Sequence, residues 1–240
     1  MIKVILLIVL LSLTSQVYAR HPLNIWSEIR SGFSIRYYVN NPRIQNYIRY
    51  YQNHQNQFNA IMARSKPYLY HILQQIKQKN LPTEIVLLPF IESGYNPKAI
   101  SSAGASGIWQ LMPPTAERFN IDTGDQWLDG RRDIEISTTA ALEYLENLQN
   151  YFSQNLLLAI AAYNSGEGTV KNAIEYNLNR GRNASFWNLS LPKQTRNYVP
   201  KLLAVCAIVT HPSRYGLSLP NIPNAPLTGK YLLTRQISLK

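Results

Sequence analysis

Leu81-Pro82-Thr83-Glu84-Ile85-Val86-Leu87-Leu88-Pro89-Phe90-Ile91-Glu92-Ser93-Gly94 is the stretch from which the rest of the chain can be read. Its composition predicts a helix. Pro82 suits a first turn, where its missing N–H is not needed; Thr83 and Glu84 are good early-turn residues, and Gly94 suits the stop. On helical spacing Glu92 shares a face with Ile85, Leu88 and Pro89. A carboxyl group therefore ends the most apolar segment downstream of the N-terminal leader. Burial disfavours the ionised form, so the spacing predicts a Glu92 pKa raised towards neutrality, the profile of a general acid. An isolated Glu at a helix end is more often exposed or paired with a cation; the residues that follow favour the chemical reading. Ser101-Ser102-Ala103-Gly104-Ala105-Ser106-Gly107 is a small-residue loop, and Trp109, Gln110 and Met112 come next in a second apolar stretch. Small residues let a backbone approach a ligand closely. A Trp and a Gln offer a stacking face and an amide, which is what a saccharide cleft needs.

The chain has 240 residues, long enough for a sizeable core. Residues 1–19 read as a secretory signal: Lys3, an apolar run from Val4 to Leu11, then Val17-Tyr18-Ala19 as a cleavage site. The run is too short to span a bilayer, an uncleaved anchor being the other reading. Cys206, the chain's one cysteine, sits in an apolar helical stretch and is expected to be an inert buried thiol, with no disulfide framework. The net charge of +11 favours a polyanionic partner. An export signal, scattered basic residues and the lack of a nucleic-acid motif argue against nucleic acid. They favour a cell-wall polymer bearing carboxylates, in a periplasmic setting.

Nearly all predicted elements are helical, so the fold class is mainly α. Short amphipathic helices are expected around Trp26–Arg30 and from Pro42 to Tyr51. Phe58, Ile61, Met62, Tyr68, Leu69, Ile72, Leu73 and Ile76 recur at helical intervals, with Pro67 opening a new helix, and should pack beneath the Glu92 segment. A short helix is expected from Pro113 to Phe119. A long one should run from Ile134 to Asn150, capped by Asp133 or Ser137. Arg131-Arg132-Asp133 reads as a salt-bridge corner, or else as an anion site. Another helix spans 155–162, and the two glycines of Ala162-Tyr163-Asn164-Ser165-Gly166-Glu167-Gly168 predict a sharp turn. Gln194-Thr195-Arg196-Asn197-Tyr198-Val199-Pro200 leads into the Cys206 helix. Residues 211–240 are Pro-rich and read as an extended tail, with one strand at 231–234.

No cofactor is called for. His21, His54, His71 and His211 are far apart and give no metal-ligand spacing, and no Gly-x-Ser-x-Gly elbow is present. Of the thirteen carboxylates, Glu92 alone is read as sitting in an apolar run. Asp122, Asp125, Asp129, Glu143 and Glu146 are read as solvated. Ordinary glycosidases use two carboxylates. A single Glu suffices if the sugar supplies the rest: the acid protonates the leaving oxygen, and the substrate's N-acetyl group stabilises the cation. The carboxylate then deprotonates a substrate hydroxyl that attacks the anomeric carbon.

Glu92-Ser93, Gly107-Ile108-Trp109-Gln110-Leu111-Met112-Pro113 and the 162–168 block together resemble the three signature blocks of soluble-lytic-transglycosylase (goose-lysozyme-like) domains. Arg131-Arg132-Asp133, the 137–142 segment and Gln194–Pro200 resemble a membrane-bound branch of that family, type D. The resemblance implies a lysozyme-like helical domain at 81–210, an N-terminal helical segment at 20–80 packed on it, and a C-terminal tail at 211–240. It implies a monomer acting on peptidoglycan glycan strands, cleaving the N-acetylmuramic acid–N-acetylglucosamine β-1,4 bond to leave 1,6-anhydro ends. Glu92 would be the catalytic acid/base. Ser101, Gln110, Met112, Tyr163, Asn164 and Tyr198 would contact the sugars, and Ser93 would either bond at the helix end or touch substrate. The lipid anchor and LysM repeats usual in that branch are not in this sequence. Affinity for the wall or for a membrane surface is therefore expected to come from the cleft and the basic surface. A water-using muramidase and an inactive wall-binding protein are the alternatives.

Overall fold

The computed structural model describes residues 24–35, 40–124 and 129–227. The expected signal at 1–19 and strand at 231–234 lie outside the described residues. The described chain is helical; β structure among the described residues is confined to isolated bridges such as Ile100–Ser106 and Ser106–Leu111.

The N-terminal helices begin where capping chemistry starts them. α1 (Ile25–Ser31) follows Asn24, whose side chain accepts the Trp26 N–H. α2 (Pro42–Asn53) follows Asn41, which caps Arg43 N–H, with Pro42 in the first turn. α3 (Gln55–Ser65) and α4 (Leu69–Gln78) come next, α4 opening two residues after Pro67. The pattern residues Phe58, Met62, Leu69, Ile72, Leu73 and Ile76 are all buried. Phe58 and Tyr51 each place their rings 5.4 Å from that of Phe90, so α2 and α3 do pack beneath the Glu92 segment.

That segment is two pieces where one helix was predicted: a 3-10 turn at Thr83–Leu87, then α5 (Leu88–Glu92). Pro89 explains the division. It has no N–H to give the Ile85 carbonyl, which accepts instead from Leu88 N–H by the tighter i−3 closure. Glu84 lies in the 3-10 turn and is fully buried, which corrects the reading of Glu92 as alone in an apolar run. One Glu84 oxygen accepts from the backbone N–H groups of Ser34 at 2.5 Å and Ile35 at 2.6 Å. Burial nevertheless raises its pKa against those bonds.

α6 (Pro113–Arg118) and α7 (Ile134–Tyr151) follow, α7 capped by Asp133. α8 (Leu156–Ser165) is buried from Leu158 to Ala162 and packs against α7. Gly166 breaks the chain at φ +84°, and α9 (Glu167–Leu178) starts at once. This corrects the two-glycine turn, since Gly168 is inside α9. The sequence reading missed α9 because Val170 and Asn177 are its only buried residues, leaving almost no apolar stripe. α10 (Lys193–Thr210) is longer than expected and takes in Gln194–Pro200. It packs along α2 and α8, and Cys206 is buried within it.

After a 3-10 turn at Pro212–Tyr215 the chain is extended as expected, and it packs back on α1. Ile25 N–H donates to the Ile222 carbonyl at 2.9 Å and Trp26 Nε1 to Pro220 at 2.8 Å. No helix among the described residues is long and apolar enough to cross a membrane.

Candidate active site

A cleft of about 630 Å³, which Ser93 and Trp109 do not line, collects Glu92, Ser101, Gln110, Met112, Tyr163, Asn164 and Tyr198. They arrive from the end of α5, the loop before α6, the end of α8 and the first half of α10. Tyr47 of α2, with Gln194, Asn197 and Lys201 of α10, lines the same cleft.

Glu92 is half-buried at the C-terminus of α5. The Tyr198 hydroxyl donates to its Oε1. Burial pushes the Glu92 pKa up to about 7, against the opposing effects of the Tyr198 hydrogen bond and the positive charge of Lys201. Burial first, then the Glu92 charge, holds the Tyr163 and Tyr198 phenols far above their ordinary range, so both are donors at any physiological pH. Burial also lowers the Lys201 pKa, with Glu92 opposing it. α5 is pinned where Glu92 emerges: Ser93 Oγ donates to the Ile108 carbonyl at 2.9 Å, and Arg64 Nε to the Gly94 carbonyl at 2.9 Å. The Ser93 hydroxyl is thus bonded to backbone at the helix end.

The loop facing Glu92 is a small scaffold. Ser106 and Leu111 exchange backbone hydrogen bonds at 3.1 and 3.2 Å, and Ser101 Oγ accepts from Ala105 N–H at 3.0 Å. Gly107, at φ +77°, lies so close to the Arg131 backbone that a Cβ there would sit 1.9 Å from the Arg131 carbonyl oxygen. At that point the small residue serves close backbone packing where approach to a ligand was expected. Arg131 holds the loop from behind through Nη1, which donates to the Gly104 and Leu111 carbonyls at 2.8 and 3.2 Å. Its guanidinium grips Asp129 with a two-bond fork at 2.8 and 2.9 Å. Asp129 is buried, a correction to its reading as solvated. Burial alone would raise its pKa, but the Arg131 hydrogen bonds and charge bring it below the usual carboxylate value. The Arg131-Arg132-Asp133 corner is therefore structural, with Asp129 as the partner of Arg131 and Asp133 spent on capping α7. Glu146 likewise pairs with Lys79 at 2.7 Å.

Trp109 does not offer its ring to the cleft as expected. It is fully buried, and its Nε1 donates to Thr138 Oγ1 at 2.9 Å. Its carbonyl accepts the Tyr163 hydroxyl at 2.9 Å, which fixes that ring beside Glu92. Gln110 takes φ +50° and donates Nε2 to the Gly107 carbonyl at 2.8 Å. Met112 is exposed at the rim, and Asn164 Oδ1 accepts from Thr195 Oγ1 at 3.0 Å. Gln194, Asn197, Tyr198 and Lys201 follow the i, i+3, i+4, i+7 spacing of one helix face. That signal could have found Gln194, Asn197 and Lys201, which the sequence reading left out of the site. Tyr47 carries no such signal.

The family model described as Transglycosylase SLT domain matches residues 70–186. The membrane-bound lytic murein transglycosylase D of Escherichia coli (strain K12) is 39% identical over 199 residues, covering 83% of this chain and 44% of that protein. The chain thus spans less than half the length of that relative. The "Putative tributyltin chloride resistance protein" of Alteromonas sp. (strain M-1) is 38% identical over 164 residues, 68% of this chain and 77% of that one. Among solved structures, the complex of the 70-kDa soluble lytic transglycosylase with bulgecin A is similar in fold. Its TM-score is 0.51 at 22% identity, over 73% of this chain and 31% of that chain. With the matched stretch running through Glu92, the small-residue loop and Tyr163, the chain belongs to the transglycosylase SLT domain family.

Proposed function

We propose that this chain is an exported lytic transglycosylase acting on peptidoglycan glycan strands. It cleaves the β-1,4 bond between N-acetylmuramic acid and N-acetylglucosamine without water and leaves a 1,6-anhydromuramoyl end. The observation that carries this reading is Glu92. It is the one carboxyl group among the described residues lining the cleft, and its pKa is about 7. About half of such groups hold a proton at pH 7, so one residue can give a proton and take it back.

In the first step Glu92 protonates the glycosidic oxygen as the C1–O bond breaks, and the muramoyl N-acetyl group stabilises the developing cation. In the second, ionised Glu92 takes the proton of the sugar's own C6 hydroxyl as that oxygen bonds to C1. No water is consumed, and Glu92 ends as it began. The Tyr198 hydroxyl stabilises the carboxylate between the steps through its bond to Oε1. Ser101, Gln110, Met112, Tyr163 and Asn164 position the sugars around it. Residues 81–210 form the catalytic domain and 20–80 a helical segment packed on it, a division supported by α2 lying along α10. Residues 1–19 direct export to the periplasm of a Gram-negative bacterium, where the basic surface meets an acidic wall.

Mass spectrometry of the products from purified murein tests this. Ends lacking one water, 1,6-anhydro, are expected. Reducing ends would show hydrolysis and require a second carboxylate, and no product from folded protein would leave a wall-binding role.

A further inference from the structure

The cleft contains a cation that the proposed chemistry does not use. Lys201 sits on α10 one turn after Tyr198 and lines the same cavity as Glu92. It is half-buried, yet among the described residues its Nζ makes one long hydrogen bond, 3.4 Å to the Ile91 carbonyl. Among the described residues no carboxylate lies within 4 Å of that nitrogen. An ammonium has three N–H donors and loses hydration when partly buried, so a single weak acceptor leaves it poorly compensated. Glu92 is near enough to feel its charge but accepts from Tyr198 instead. The other lining side chains, among them Tyr47, Gln110, Asn164, Gln194 and Asn197, are uncharged.

We infer that Lys201 is an anion subsite inside the cleft, taking a carboxylate carried on the lactyl arm of the muramoyl unit. The inference rests on the murein reading above. That arm leaves the same sugar ring whose anomeric carbon must lie against Glu92, so a cation close to Glu92 stands within its reach. The arm ends in a free acid on a bare strand, and on a peptide-bearing strand it leads to the carboxylates of the stem peptide. A neutral cleft would bind an N-acetylglucosamine polymer as well as a muramoyl one; a lysine placed here distinguishes them. Pairing Lys201 with a substrate carboxylate also offsets the positive charge that favours ionised Glu92, so the acid form gains as substrate binds.

Calorimetric binding of synthetic N-acetylglucosamine–N-acetylmuramic acid tetrasaccharides to the full chain tests the assignment, with Glu92→Gln introduced to stop turnover. One tetrasaccharide carries free lactyl acids, a second the methyl amides and a third the stem peptides. The free acid should bind roughly tenfold more tightly than the methyl amide, the factor a ~1.4 kcal/mol contact supplies. Lys201→Met should abolish that preference and Lys201→Arg should keep most of it. A tenfold preference for the peptide form alone, lost with Lys201→Met, would support the subsite and place its ligand on the stem peptide. A preference for acid that survives Lys201→Met, or equal binding of all three by the parent protein, would overturn the assignment and leave the murein reading standing. No binding of any of the three by folded protein would overturn both.

Discussion

Replacing Glu92 by Gln should stabilise the protein at pH 8 while leaving it almost unchanged at pH 4. In the folded chain burial raises the Glu92 pKa from an ordinary 4.5 to about 7. Between those values the folded state binds more protons than the unfolded one, so stability falls as pH rises. The contribution of the protonated carboxyl is fully present below pH 4.5 and is lost as pH climbs through 7. At 1.36 kcal/mol per unit, the ionised carboxylate costs the fold about 3 kcal/mol at pH 8 and about 2 kcal/mol at pH 6. Gln is neutral at every pH, and its carbonyl can still accept the Tyr198 hydroxyl, so the variant escapes that loss. The buried carboxyl of Glu84 also titrates, but it is common to both proteins and cancels in the difference. Urea unfolding followed by tryptophan fluorescence at pH 4, 6 and 8 measures it. A Glu92→Gln gain that grows with pH towards about 3 kcal/mol is the expected result, alongside loss of nearly all turnover. A gain that is absent, or the same at every pH, would refute the argument that burial holds the proton on Glu92.

Tyr198→Phe removes the donor to Glu92 Oε1 and should raise the Glu92 pKa further. The alkaline fall in turnover, where the acid form is lost, then moves to higher pH, and the rate drops by roughly tenfold; the pH–rate profile of murein digestion reads both. Asp129→Asn leaves the buried Arg131 guanidinium uncompensated and should cost about 3–5 kcal/mol at pH 7. Because the Asp129 pKa is lowered in the fold, its contribution is present above the ordinary carboxylate pKa and lost as pH falls, so urea titrations should show the variant's deficit shrinking in acid. Gly107→Ala puts a methyl group into the Arg131 carbonyl at a positive φ and should cost more than about 3 kcal/mol. A thermal melt within a degree of the parent would contradict that packing. Tyr163→Phe loses a single bond to the Trp109 carbonyl and should cost about 1 kcal/mol while lowering turnover.

Helices with strong apolar periodicity were legible in the sequence. α2, α3, α4, α7 and α8 all fall within a few residues of where pattern and caps place them, because burial and capping act locally. α9 was not legible, since a helix that buries only Val170 and Asn177 has no stripe to detect. Trp109 shows a second limit. Residue type suggested a stacking face, but only the tertiary structure reveals that Thr138 on α7 takes its N–H and seals it inside. Asp129 and Glu84 show a third. Both are polar residues in unremarkable contexts, buried because partners distant in sequence or hidden in a turn satisfy them: the Arg131 fork for one and the Ser34–Ile35 backbone for the other.

Glu92 itself was legible as a carboxyl in an apolar segment, but the residues that control its proton come from elsewhere in the chain. The SLT match ends at residue 186, whereas Tyr198 and Lys201 lie beyond it on α10, and Tyr47 precedes it on α2. α2 and α10 pack against one another, so the flanking helices form one wall of the cleft. Burial raises the Glu92 pKa, and α10 supplies the hydroxyl and the ammonium that lower it. Balance near pH 7 is thus a property of how α10 docks. A shift of α10 that broke the Tyr198 bond would leave Glu92 buried with one fewer stabiliser of its charged form. It would then hold its proton more tightly, a weaker acid towards the leaving oxygen and, once ionised, a stronger base towards the sugar hydroxyl. The packing of α2 against α10 thus belongs to the proposed catalytic apparatus as much as the signature blocks do.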